Sequence, residues 1–251
     1  MLSKGSQPSP LPAACLPSPA THGSPCQAIT LSFKSGKTLS ADKCSLVKAS
    51  PVLRDVLSLK LPTSGVLEVG EDSEEAWGVV LGMLDLSAAL PVELITWDNL
   101  KGVWQLADKY NMRIVHGFCA TFLAVNVPCL SLDEPLSSPK NLLKAASMVE
   151  QYGGGVPEPG LVAGAVQRAM NCALSAMVQW PVGEGLHSVL PKLGPLVLDK
   201  SYASEVSSAV QAVVVERLLA GLCLRSGTCR YCYSSSGLYS CGTCCSCRKQ
   251  N

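Results

Sequence analysis

The stretch Leu100–Met112 constrains the fold most. Apolar side chains recur at Leu100, Val103, Trp104, Ala107 and Tyr110, the i, i+3, i+4, i+7 spacing of one buried helix face, while Gln105, Asp108 and Lys109 are left for water. A second stripe follows at once, at Ile114, Val115, Phe118, Phe122 and Leu123. Two packed helices joined by a short turn are therefore expected, with Trp104 and Phe118 both inside.

Upstream, the period changes from that of a helix to that of a strand. Ile29, Leu31 and Phe33 alternate with Thr30, Ser32 and Lys34, and Ser35-Gly36 turns the chain toward Thr38-Leu39, which reads as a hairpin. Ser50-Pro51 is a helix start, because the serine caps and the proline occupies the first helical position, where no N–H is needed. Val52, Leu53, Val56 and Leu57 form the face behind it. A short strand at Val66–Val69 follows, and Asp72-Ser-Glu-Glu75 then caps a helix whose core side is Trp77, Val80, Leu81 and Leu84. Three strands and about five helices result. An α+β fold with a small sheet and a helical cluster is the consequence.

Composition narrows the class. Of 251 residues, 47% are apolar and 16% charged, which suits a buried core, and the net charge of +1 supplies no overall field toward nucleic acid or an anionic membrane. No run approaches the roughly 18 apolar residues of a spanning helix. Thirteen cysteines would suit a disulfide-rich secreted chain, but prolines interrupt any apolar leader in Ser6-Gln-Pro-Ser-Pro-Leu-Pro12, so reduced thiols and a cytoplasmic or nuclear location are expected. Residues 1–27 hold six prolines among small polar groups and are expected to form a disordered arm. Cys44, Cys119 and Cys172 fall on apolar helix faces and are expected in the core.

The order of hairpin, Ala41-Asp42-Lys43 helix, Leu46-Val-Lys-Ala-Ser-Pro-Val-Leu-Arg54, short strand, Ala76-Trp77 helix and Leu106-Ala-Asp-Lys-Tyr110 resembles the BTB/POZ domain over residues 28–127. The resemblance implies an interaction module without a catalytic centre, acting as an adaptor or scaffold, with a cullin-based ubiquitin ligase as the candidate assembly. The chain also departs from the family pattern. Ala28 and Ala49 stand where many members carry a charged pair at the homodimer seam, which implies a weak homodimer or none. Asp42 replaces a family histidine, and Asp85 replaces an aromatic at the end of the Trp77 helix. Leu59-Lys60-Leu61 occupies the place where cullin-binding members carry a hydrophobic-x-Glu element.

Residues 128–222 read as a mostly α-helical region. A helix starts at Ser138-Pro139, with Leu142, Ala146 and Val149 on one side, and ends at Tyr152-Gly153, and Ala- and Val-rich helices follow at 159–180 and 202–222. Asn141-Leu142 to Tyr152 echoes Asn99-Leu100 to Tyr110 at the same separation, which an internal repeat and shared helix grammar explain equally well.

The sharpest chemical signal is the tail, 223–251. Cys229-Arg-Tyr-Cys232 and Cys241-Gly-Thr-Cys244 form C-x2-C…C-x2-C, a spacing that lets both thiolates of each pair face one ion and close a tetrahedral, structural zinc site. Cys223, Cys245 and Cys247 are further candidate ligands, and a cysteine-rich tail without metal or a redox role is the competing reading. Four basic residues, Arg225, Arg230, Arg248 and Lys249, stand among Tyr231, Tyr233 and Tyr239 with no acid between. That mixture suits single-stranded nucleic acid, and makes a nuclear factor with a nucleic-acid-contacting zinc tail the alternative function. A four-thiolate site is itself anionic, so neighbouring arginines need no external partner.

Signatures of catalysis are poor. Ser35-Gly36-Lys37-Thr38 ends like a phosphate loop but lies in a hairpin, and Gly183-Glu-Gly185 lacks βαβ surroundings. Neither His116 nor His187 has a nucleophile that the sequence places beside it.

Overall fold

The computed structural model describes residues 27–59, 65–85, 91–155, 159–175 and 182–225. The protein is α+β. Strand β1, Ala28–Phe33, points Ile29, Leu31 and Phe33 inward, and β2, Thr38–Asp42, pairs with it antiparallel with Leu31 opposite Leu39. Gly36 closes the hairpin at φ +81°, a left-handed conformation open to a residue without Cβ. Strand β3, Val66–Gly70, lies parallel on the other edge of β1, giving the order β2-β1-β3.

Parallel pairing needs a crossover, and helices α1, Lys43–Ala49, and α2, Pro51–Leu59, supply it. Asp42 caps α1 by accepting from the amides of Cys44 at 3.3 Å and Ser45 at 2.8 Å. Ser50 caps α2 as its position before proline predicts, with Oγ accepting from the Leu53 amide at 3.0 Å. Helix α3, Glu74–Leu84, starts at the Ser73 cap, with Glu74 and Glu75 in its first turn, where the helix dipole favours acids.

The two helices expected around Tyr110 are α4, Leu100–Lys109, and α5, Arg113–Asn126. Leu100, Val103, Trp104 and Ala107 are buried, and Leu106 with them. Asn111 makes the turn between them at φ +50°.

Helix α5 is rotated from the expected stripe. Val115 and Leu123 are buried, but Ile114 is 57% exposed and Phe118 and Phe122 are only half-buried. The inner face instead carries His116, Cys119 and Ala120. A stripe drawn by hydrophobicity passes over a histidine whose polarity is offset by a buried partner.

Beyond 127 lie α6, Leu142–Tyr152, a 3-10 turn at Gly153–Gly155, α7, Pro159–Ser175, α8, Val182–Val197, α9, Tyr202–Glu205, and α10, Ser208–Arg225. Helix α6 starts three residues after Ser138-Pro139. Ser131 pairs with Asn141 there, and Asn141 caps the helix by accepting from the amides of Leu143 and Lys144 at 3.0 and 3.1 Å. Helix α8 escapes a reading from propensity because Pro191 and Pro195 sit inside it. Both prolines are exposed, while Val189, Leu193 and Leu196 of the same helix are buried.

One core joins the sheet and α1–α5 to Ala145, Met148, Val149 and Tyr152 of α6 and Val162 and Val166 of α7. Leu142, Leu143, Met170, Leu174, Val189, Leu193, Val210 and Val214 belong to a second cluster. Cys119 is buried as expected, whereas Cys44 and Cys172 are exposed: α1 buries Leu46 and Ala49, and α7 buries Val162, Val166, Met170 and Leu174, which leaves both cysteines facing out. Among the described residues no helix is long and apolar enough to cross a membrane.

Candidate interaction surface

The surface is organised around Tyr110, at the end of α4. Its hydroxyl donates to Asp72 Oδ2 at 2.7 Å, the Trp77 indole donates to the same oxygen at 3.2 Å, and Lys109 Nζ lies 2.5 Å from Asp72 Oδ1. Burial, then the hydrogen bond to Asp72, raises the Tyr110 phenol well above its ordinary value, so it stays a neutral donor. The Ser50 hydroxyl donates to the Tyr110 carbonyl, and the Trp77 ring stands 5.2 Å from the Tyr110 ring. The start of α2, the start of α3 and the end of α4 are thereby held as one unit.

Apolar groups remain outside that unit. Leu59, the last residue of α2, is 81% exposed, and α5 presents Ile114 and Val125 to solvent. Residues 60–64, which include Lys60 and Leu61, lie outside the described residues. Such side chains on rigid helices can seat a partner protein.

Lys37 and His116, both in motifs weighed for catalysis, make structural contacts. Lys37, the lysine of the loop-like Ser-Gly-Lys-Thr, pairs with Glu74 at 3.0 Å, and Lys34 pairs with Glu71 at 2.5 Å, which neutralises the tip of the hairpin. The Gly183–Gly185 stretch is inside α8. His187 is exposed on the same helix. His116 is 1% exposed, and its Nδ1 accepts from the Trp104 indole at 2.9 Å. Burial pushes the Cys119 thiol up to about 12, far from a reactive thiolate.

Cys229, Cys232, Cys241 and Cys244 lie outside the described residues, as do Cys245, Cys247 and the basic and aromatic groups from Arg230 on. Among the described residues no group of three His, Cys, Asp or Glu is arranged to hold a metal.

Two polar contacts escaped the sequence reading. Glu205 of α9 meets Lys101 at 3.2 Å and Lys144 at 3.3 Å, tying α4, α6 and α9 together. Burial works against its charge, but the two lysines outweigh that and hold its carboxyl below the usual range. Ser147 Oγ donates to the Leu143 carbonyl and accepts from the Ser207 amide at 2.9 Å. Residues so distant in sequence leave no periodic signal. No family model and no curated protein matches the chain.

Proposed function

We propose that the chain is a non-catalytic adaptor or scaffold built on a BTB/POZ-like domain over residues 28–127. The observation that carries this reading is the contact of its two most specific motifs. Ser50, of the Ser-Pro helix start, donates its hydroxyl to the carbonyl of Tyr110, the tyrosine of Leu-Ala-Asp-Lys-Tyr. Far apart in the chain, these motifs belong to one structural unit, as parts of one domain should.

The assembly that best fits this reading is a cullin-based ubiquitin ligase, with the exposed Leu59 and the outer side of α5 as the side chains available to the cullin. Cys229, Cys232, Cys241 and Cys244 would hold a structural zinc ion in this reading. The basic and aromatic residues of that tail support a second reading, a nuclear factor whose zinc tail touches nucleic acid.

Affinity capture of the full chain from cell extract, followed by mass spectrometry and nuclease-sensitive recovery of nucleic acid, separates the two. A cullin that is lost on Leu59→Asp supports the adaptor. Nucleic acid recovered without any cullin supports the second reading and removes the ligase role.

A further inference from the structure

We propose that Trp104, His116 and Gly155 form an acid-sensitive latch that locks the glycine turn after α6 onto the α4–α5 hairpin. An indole N–H can only donate, so its 2.9 Å bond to His116 Nδ1 requires a lone pair on that nitrogen. The folded ring is therefore neutral, with its proton on Nε2. Gly155 stands against the same ring, between its two nitrogens. A Cβ built there would lie 2.8 Å from Cε1 and Nε2, so only glycine lets the backbone come this close.

The surroundings favour the neutral form. From α4, Asp108 Oδ1 lies 3.9 Å from Nε2, and Asp108 and the Ala107 backbone both favour the charged ring. From α6 comes Tyr152, whose ring centroid is 6.1 Å from that of Trp104, and α7 adds the aliphatic Val162 and Val166 to the same core. Burial outweighs Asp108 and Ala107 and holds the imidazole below the ordinary histidine range.

A second proton can enter only at Nδ1. It would set an N–H donor against the indole N–H, which breaks the bond and drives the ring to turn or to withdraw toward the half-exposed Asp108. With the Gly155 backbone against the ring, that movement displaces the turn 153–155 that follows α6. Acid thus loosens the helical region from the hairpin at one defined place.

The test uses the full chain carrying His22→Gln and His187→Gln, which leaves His116 as its one histidine. Nitrogen-resolved NMR should show the Nε2–H tautomer at neutral pH and a titration midpoint below 6.5, with the Trp104 indole N–H and the Gly155 amide shifting at that same midpoint. In His116→Gln the amide oxygen can still accept the indole, and the indole signal should no longer respond to pH. An Nδ1–H tautomer, a midpoint at or above 6.5, or Trp104 and Gly155 signals that ignore the titration overturns the proposal. The histidine titration decides the matter even if His116→Gln does not fold.

Discussion

At the scale of single residues, Trp104 of α4 and Phe118 of α5 lie at different depths in the protein. Trp104 is fully buried with its N–H satisfied, and truncation to Ala removes both packing and a buried hydrogen bond, so a loss of about 3–5 kcal/mol is expected in urea melts. Phe118 is half-buried, and Phe118→Ala should shift the midpoint clearly less. Equal losses would mean that α5 is turned as the hydrophobic stripe alone suggests. His116 sets a pH dependence whose sign follows from its burial. Its folded value lies below the 6.5 of an unfolded imidazole, so the unfolded chain binds the proton first as pH falls. Its contribution is therefore complete above 6.5 and declines below it, until the folded value is passed. Urea midpoints at neutral and mildly acid pH should fall more in the native chain than in His116→Gln.

At the scale of elements, the starts of α2 and α3 were readable because a cap is a local bargain between one side chain and the next few amides. The start of α6 was not. There the cap is Asn141, whose side chain also donates to the Glu134 carbonyl at 2.6 Å, and the choice of Asn141 over Ser138 depends on how the loop 131–141 closes on itself. Asn141→Ala removes the one oxygen that accepts from two helix amides and strands the Glu134 carbonyl, and should cost about 1–3 kcal/mol. Asn99→Ala should cost less. Asn99 accepts from the Thr96 amide and donates to Leu94 in its loop, but does not cap α4, so the echo between the two helices is one of sequence more than of role. Thermal melts of the two variants give the comparison.

At the scale of the whole molecule, two expectations concern assembly and the tail. Ala28 is exposed at the start of β1 and Ala49 is buried at the end of α1, so no charged pair stands at those two positions. Sedimentation at micromolar concentration should show a monomer or a weak, concentration-dependent dimer, and a dimer that persists on dilution would contradict this. For the tail, protein purified under reducing, chelator-free conditions should carry about one zinc per chain, lost at low pH or to chelators because the ligands are thiolates. Replacing Cys229, Cys232, Cys241 or Cys244 by Ser should lower that content while the core that the sheet and α1–α5 share with α6 and α7 stays folded. Far less than about one zinc in the native chain removes the site.

What the sequence determined by itself is whatever neighbouring residues decide among themselves: the alternation of β1, the glycine of its hairpin, the Ser50 and Ser73 caps, and the buried side of α4. These depend on backbone geometry over a few residues, and residue type suffices to read them. The tertiary structure alone decided the rest. Whether His116 turns inward depended on an indole twelve positions away and a glycine on another turn. Whether Cys172 is covered depended on which side of α7 the core took, and α8 persists through two prolines because its other face is buried. In each case the energy comes from partners brought together by the fold, and local residue order carries no record of them.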